Sequence, residues 1–353
     1  MTVLKLGSLF DGIGVFPLAA VHCGMEPVWA SEIEARPISI TRRHFPDMLH
    51  LGDITKISGA EIPPVDVITF GSPCQDLSQI GTRNGFAGKK SSLFYQAMRI
   101  IEEMRYATNG RYPAFTVWEN VAGAFSSNDR LDFAAMLRAF TGAEVSVPPR
   151  GWAHAGMVRG GCADTAWRLL DAQYWGEPAL VQRRKRVFVV ADFAGQRAGE
   201  VLFKPRTVLP FSTISGPGGL SATQRGGVPV AQTGRQVPIV RPFSLRRMRT
   251  MAQVGDQKGF CASFGRGGEP FPTLLASVTA PFSFWYEGEE RDGFLRVLTP
   301  LECERLMGLP ENWTKYGCKN EEISDHARYR ALGNSIALPC AEYVMAGIAE
   351  VMN

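Results

Sequence analysis

The chain has 353 residues, 45% hydrophobic and 20% charged, a globular composition that excludes a disordered or collagen-like polymer and leaves room for two domains or one domain with an insertion. A formal charge of +4 neither demands nor excludes a polyanionic partner, so the distribution of charge decides. No apolar run approaches the roughly 20 residues of a membrane span and no charged-then-apolar leader opens the chain, so a cytoplasmic protein without membrane contact is expected.

Residues 3–10 predict a first strand running into Phe10-Asp11-Gly12-Ile13-Gly14, with a helix beginning at Pro17. A glycine turn between a first strand and a first helix lets a ligand approach the backbone closely, with the helix amino terminus facing it. Residues 28–32 predict a second strand ending in Glu32, about 20 residues on, where nucleoside-binding folds place a carboxylate on the ribose hydroxyls; capping the next helix is the alternative role. The turn lacks the third glycine that accommodates a dinucleotide pyrophosphate, because Val15 to Pro17 follow. S-adenosylmethionine, a nucleoside carrying a sulfonium and an amino-acid group, fits this turn better than a nicotinamide dinucleotide.

The next unit supplies Asp53, a candidate acceptor for an adenine amino group or, equally on local grounds, an Asx-turn cap. Residues 65–70 read as a buried strand, a short β-branched and apolar run, ending in Gly71-Ser72-Pro73-Cys74-Gln75. Ligands bind beyond the carboxyl ends of strands in open α/β sheets, so Cys74 stands where a reactive thiol is useful; a small buried hydrophobe is its other possible role. A Gly-rich basic loop follows over residues 75–92, with Arg83, Lys89 and Lys90 suited to phosphates; a loop of that length is functional or mobile.

Ser91 caps a predicted amphipathic helix over residues 91–101. Residues 114–118 predict a buried strand ending in Glu119-Asn120-Val121. Burial beside Trp118 and Val121 should disfavour ionisation of Glu119 and make it an acid near neutrality; a structural ion pair is the alternative. Residues 166–172 look helical. The run Gln182-Arg183-Arg184-Lys185-Arg186 leads into an apolar strand over residues 187–191, and at strand period Gln182, Arg184 and Arg186 share one face while Arg183 and Lys185 share the other. Cations entering a core strand are costly unless paired, and contact with a polyanion or a base would justify them.

From about residue 192 Gly, Pro, Ser and Thr become dense. Between Arg206 and Arg266 nine Lys or Arg stand against one acid, Asp256, the footprint of a nucleic-acid surface or of a solvated basic face. A strand over residues 282–286 follows, then a helix with Thr299 as cap, Pro300 first, Glu302 third and Gly308 at its end, and then a Gly333-Asn334-Ser335 turn before a closing helix to Val351. The seven cysteines are odd in number and never spaced C-x-x-C, and the five histidines are dispersed, which argues against a disulfide framework and a zinc site; no metal is expected.

Taken in order, Phe10-Asp11-Gly12-Ile13-Gly14, Gly71-Ser72-Pro73-Cys74-Gln75, Glu119-Asn120-Val121, Gln182 to Arg186, the Arg296 to Gly308 helix and Gly333-Asn334-Ser335 resemble a DNA (cytosine-5) methyltransferase of the bacterial and phage type. They span residues 8 to 340 and leave 193 to 270 for the family's variable target-recognition region, with Thr273-Leu274 as the short signature near its end. The resemblance implies an α/β fold: a doubly wound, Rossmann-like S-adenosylmethionine-binding catalytic domain over residues 1–191, a smaller irregular target-recognition domain and hinge over 192–325, and a C-terminal helix over 326–353 completing the catalytic domain. Double-stranded DNA would lie in the cleft between the domains of a monomer, and a cognate restriction endonuclease is compatible with it.

The resemblance also implies the chemistry. Cys74 adds as a thiolate to C6 of a flipped-out cytosine, Glu119 supplies the proton or hydrogen bond at N3, and Arg184 or Arg186 lies near the base carbonyl and phosphates, with Arg186 favoured for the base. Cofactor contacts carry over to Phe10, Gly12, Gly14, Glu32, Asp53, Leu93, Asn334 and Ser335. DNA contacts fall to Ser78, Arg83, Lys89, Gln182, Thr273 and Leu274. The related tRNA-modifying branch carries a second proline before the cysteine and an aromatic-Thr-Arg sequence after it, whereas Ser72 precedes Pro73 here and Asp76-Leu77-Ser78 follows Gln75. A catalytically inactive DNA-binding homologue is disfavoured by the intact Cys74, Glu119 and glycine turn.

Overall fold

The structure, a computed structural model, describes residues 3–72, 93–204, 239–242, 271, 273–274, 282–286 and 293–353. Two compact units divide the chain: Met1–Leu170 with Lys185–Arg206 and Cys340–Asn353, and Asp171–Arg184 with Thr207–Pro339.

The first unit is built on β1 (Lys5–Leu9), α1 (Val15–His22), β2 (Glu26–Ser31), α2 (Ala35–His44), β3 (Leu49–His50), β4 (Val67–Phe70), α3 (Leu93–Ala107), β5 (Phe115–Val121), α4 (Leu131–Thr141), β6 (Ala155–Arg159), β7 (Asp164–Asp171), β8 (Lys185–Asp192) and α5 (Ala198–Leu202). Its sheet has the order β3-β2-β1-β4-β5-β8-β7-β6. The first five strands run parallel, β8 antiparallel to β5, and β6 antiparallel to β7. This is the expected α/β sheet, and its order turns at β1, where β2 lies on one side and β4 on the other. In open α/β sheets a ligand binds beyond the carboxyl ends of the strands at such a point.

Register sharpens that placement. Leu9 stands opposite Ser31 and Phe70, and Phe70 opposite Trp118, so the ends of β1, β2 and β4 lie in one row with Trp118 of β5, which runs three residues further. One residue further along each strand come Phe10, Glu32, Gly71 and Glu119, four positions that the sequence had picked out in four separate stretches. The alignment is a property of strand pairing and could not be counted along the chain.

One face of this sheet packs on α3 and α4. Phe94, Ala97, Met98, Ile101 and Met104 recur at helical spacing along α3, and with Phe133, Met136, Leu137 and Phe140 of α4 they cover Ile68, Phe70 and Trp118. Each such side chain contributes about 1.5–3 kcal/mol on burial. Helices α1, α5 and α8 (Leu338–Met352) meet one another elsewhere in the unit: Cys23, just after α1, donates from Sγ to the Glu342 carbonyl at 3.7 Å, and a Cβ on Gly347 would come within 2.7 Å of the Val201 carbonyl. In the β1–β2 pair, Gly7 faces Trp29 so closely that an added Cβ would stand 2.2 Å from the indole.

Residues 166–172 look helical in the sequence, but 166–171 belong to strand β7 and Ala172 opens a short 3-10 turn. Ala166, Trp167, Leu170 and Asp171 are all buried, so the strand is covered on both faces and shows no two-residue alternation. Its Ala, Leu and Arg content then reads as helix, and only the hairpin with β6, in which Gly156 makes room for the Trp167 ring, decides the matter. Strand β8 begins at Lys185, so the two-residue face rule does not extend back to Gln182.

The second unit contains a three-stranded antiparallel sheet, β9 (Ile239–Pro242), β10 (Phe282–Tyr286) and β11 (Gly293–Val297), in the order β11-β10-β9. Helix α6 (Pro300–Leu306) follows, opened by the expected capping box: Thr299 accepts from the Glu302 amide while Glu302 accepts from the Thr299 amide at 2.8 Å. Helix α7 (Asp325–Asn334) is tied to α6 by buried Glu304, which accepts from the amides of Asn312 and Thr314 at 2.8 Å and pairs with Arg328 at 3.1 Å. Among the described residues, no single helix is long and apolar enough to cross a membrane.

Candidate active site

The chain leaves β1 through three positive-φ residues, Phe10 (55°), Gly12 (59°) and Gly14 (78°). An L side chain at Phe10 pays about 1–2 kcal/mol for that conformation, whereas the glycines adopt it freely. A Cβ on Gly12 would meet nothing within 4 Å, so that glycine serves the backbone turn and leaves open space before it; one on Gly14 would come within 3.1 Å of Phe45.

Glu32 holds this turn. Its Oε2 accepts from the Gly12 amide at 2.9 Å, and its Oε1 from the amides of Ile33 and Glu34 at 2.7 and 2.9 Å. The sequence left two roles open for Glu32, a ribose contact and the cap of the next helix; its oxygens instead take the amides of Gly12, Ile33 and Glu34, ahead of α2, whose N-cap Glu34 makes no side-chain cap hydrogen bond. Oε1 is thereby filled, and Oε2 keeps one further lone pair for a ligand hydroxyl. Ile33 beside it is 73% exposed, an apolar side chain just past the end of β2 that sequence reasoning passed over. Asp53 caps the short 3-10 turn Ile54–Lys56, its Oδ1 accepting from the Thr55 amide and hydroxyl at 2.9 and 2.8 Å. Those two hydrogen bonds hold its pKa below the ordinary carboxylate value. Leu93 opens α3 and packs against the core cluster.

Asp11 stands in the glycine-turn motif, but sequence reasoning assigned it no role of its own. The residue as a whole is half-buried, yet both carboxylate oxygens are shielded from solvent and no hydrogen bond to them meets geometric limits. Burial pushes its pKa up to about 7; the Glu32 carboxylate adds to the rise, and the nearby hydroxyls of Ser8 and Thr41 offset part of it.

At the next pair of strand tips, Trp118 donates from Nε1 to the Ser72 hydroxyl at 3.1 Å, and Asn120 donates from Nδ2 to the Ser72 carbonyl at 2.9 Å. Between them on β5, Glu119 forms an ion pair through Oε1 with Nε of Arg186 at 2.9 Å, the two side chains 11% and 14% exposed. An added Cβ at Gly71 would lie 3.1 Å from Glu119 Oε2, so glycine there lets the carboxylate sit over the β4 tip. The ion-pair reading of Glu119 is thus present in the structure, and the partner is the arginine that the family resemblance assigns to the base. Cys74, Ser78, Arg83 and Lys89 lie outside the described residues.

In the second unit Gln182 is fully buried and bridges Phe271; Arg183 donates its amide to the Phe271 carbonyl at 2.7 Å, and Thr273 donates its hydroxyl to the Arg183 carbonyl at 2.6 Å. Arg184 is 1% exposed. Its guanidinium donates to the carbonyls of Leu274 and Gly333, each at 2.9 Å, and to that of Ser335. The puzzle of a cation entering a core is answered by main-chain oxygens, since a guanidinium with several carbonyl partners can be buried where a bare one cannot. Arg184 therefore ties the Thr273-Leu274 segment to the Gly333-Asn334-Ser335 turn, in which Asn334 ends α7 and Ser335 is its C-cap.

A row of strand ends carrying a glycine turn, an amide-binding glutamate and a buried Glu-Arg pair is found here together with a matching family model: residues 4–205 and 245–350 match that of the C-5 cytosine-specific DNA methylases. The chain belongs to that family. The family transfers a methyl group from S-adenosylmethionine to C5 of cytosine in DNA, and the chain is a DNA cytosine-5 methyltransferase by membership. Among its relatives, a DNA N-6-adenine-methyltransferase of Escherichia phage P1 is 24% identical over 98% of this chain and 61% of its own length. The type II methyltransferase M1.ScrFI of Lactococcus lactis subsp. cremoris is 27% identical over 99% of this chain and 78% of its own. A crystal structure of a putative DNA modification methyltransferase from an E. coli prophage superposes with TM-score 0.60 at 17% identity, covering 99% of both chains, a likeness of fold alone.

Proposed function

We propose that this methylase acts on a flipped-out cytosine in a specific double-stranded DNA sequence through a covalent bond between Cys74 Sγ and C6. The observation that carries the reading is the Glu119–Arg186 pair, seated over Gly71 at the strand tip three residues before Cys74. Cytosine C5 is a poor nucleophile. A thiolate adding to C6 pushes electron density to C5, and Glu119, protonated or donating through a shared proton, takes up the charge that would otherwise build on N3. Arg186 holds Glu119 in place and presents its guanidinium near the base carbonyl. Once C5 carries the methyl group, loss of the C5 proton to a base expels the Cys74 thiolate and restores the ring. C6 is inaccessible in a stacked duplex, so the base must be flipped out.

The turn fits S-adenosylmethionine. Gly12 leaves open space, Glu32 Oε2 has one lone pair left for a ribose hydroxyl, and no third glycine prepares a pyrophosphate cradle. Bound there, the cofactor supplies an electrophilic methyl on a cationic sulfur. Phe10, Gly12, Gly14, Glu32, Asp53 and Leu93 would hold it, with Asn334 and Ser335 from the turn that Arg184 fixes. In this reading Arg184 positions, while Gln182, Thr273, Leu274, Ser78, Arg83 and Lys89 serve the DNA. The enzyme works as a monomer in a bacterial or phage-infected cytoplasm, and a cognate restriction endonuclease would suit its type II relatives.

The phage P1 relative is named for adenine N6. An exocyclic amine is itself the nucleophile and needs no thiolate, so that chemistry would leave Cys74 idle. The test incubates the protein with S-adenosylmethionine and either mixed-sequence duplex DNA or tRNA, followed by nucleoside mass spectrometry, with Cys74→Ser in parallel. 5-Methylcytosine in DNA alone, abolished by Cys74→Ser, is expected. N6-methyladenine, product in tRNA alone, or product surviving in the variant would each overturn the assignment. Glu119→Gln should lower the rate by about 10²–10⁴-fold, the span of a positioned acid.

A further inference from the structure

We infer that Trp118 and Ser72 form a positioning pair that sets the reactivity of Cys74, an inference resting on Cys74 as the nucleophile. Trp118 is fully buried, and its indole is held between Phe94 and Phe133, at ring-centroid distances of 6.2 and 6.4 Å. A buried indole N–H seeks one acceptor, and here it is the Ser72 hydroxyl at 3.1 Å. The Ser72 carbonyl is held as well, by Asn120 at 2.9 Å. Ser72 is 4% exposed and anchored at both its side chain and its main chain by residues flanking Glu119.

Chain covalency carries the anchor forward. Ser72 precedes Pro73, so its backbone is confined to extended conformations, and the pyrrolidine ring locks the next φ near −65°. Between the anchored Ser72 carbonyl and the Cys74 Cα, one soft torsion remains, the Pro73 ψ. The β5 residues on either side of Glu119 thus also anchor the residue two before Cys74. A network of this kind matters because small misplacements of a nucleophile are costly in rate.

The test uses the full chain with Ser72→Ala, Trp118→Phe, the double variant and Ser72→Thr, with Cys74→Ser as reference. Four quantities are read: single-turnover methylation at saturating cofactor, S-adenosylmethionine Kd by calorimetry, the pH profile of Cys74 alkylation by iodoacetamide, and melting temperature. Ser72→Ala and Trp118→Phe should each slow methylation about tenfold, the worth of one buried hydrogen bond. The double variant should also lose about tenfold, because the two residues act through one bond. Ser72→Thr should keep the rate within about twofold, the cofactor Kd should not move, and the alkylation profile of Ser72→Ala should shift with its rate. A Ser72→Ala enzyme within twofold of the parent, or single losses that multiply to a hundredfold, would overturn the pair, as would a loss following melting temperature alone. Methylation persisting in Cys74→Ser would overturn the underlying assignment, a separate result.

Discussion

Replacing Asp11 by Asn tests the electrostatics of the cofactor turn. An aspartate in the unfolded chain ionises near 3.8, while Asp11 in the folded protein holds its proton to about 7. Between those two values the folded state binds the extra proton, so stability falls as pH rises through that window and is flat above it. At 1.36 kcal/mol per pH unit the full difference is about 4 kcal/mol, an order-of-magnitude figure that relaxation of the turn will reduce. Asparagine matches the shape and cannot ionise. Every other titration is shared by the two proteins and cancels in their difference. Urea unfolding followed by circular dichroism at pH 4, 5, 6, 7 and 8 should show parent and variant nearly equal at pH 4. By pH 8 the variant should be more stable by a few kcal/mol, with the gap opening between pH 4 and 7. Two curves running parallel over the whole range would refute a buried, poorly solvated Asp11.

Glu32→Ala leaves the Gly12, Ile33 and Glu34 amides without their charged acceptor, and calorimetry should show S-adenosylmethionine affinity lower by about 10- to 100-fold, as expected for hydrogen bonds to a charged group. Gly71→Ala puts a methyl 3.1 Å from Glu119 Oε2; kcat should fall about tenfold in single-turnover assays while the cofactor Kd holds. Gly7→Ala drives a Cβ to 2.2 Å from the Trp29 ring and should destabilise the first unit by about 3 kcal/mol in urea unfolding, the upper range for overpacking. Thr299→Ala removes the capping box of α6 and should cost the second unit about 1 kcal/mol, read by hydrogen exchange at the Glu302 amide.

What the sequence determined by itself is the chemistry that depends on near neighbours. Glycines at Gly12 and Gly14 announce a turn because only they take positive φ without strain; Thr299, Pro300 and Glu302 announce a helix start because their bonds close within four residues; the apolar runs at Ile68 and Val117 announce buried strands. The family resemblance of the spaced motifs added the reaction. Tertiary structure alone decided what depends on partners distant in the chain. That Glu119 pairs with Arg186 follows from β5 lying antiparallel to β8, and that Arg184 can be buried follows from carbonyls 90 to 151 residues away. Residues 166–171 became a strand because both faces were covered, which erases the periodicity a sequence offers. Asp11 and Ser72 gained their roles the same way: burial, strand register and the aim of a single indole N–H are properties of packing, and no count along the chain contains them.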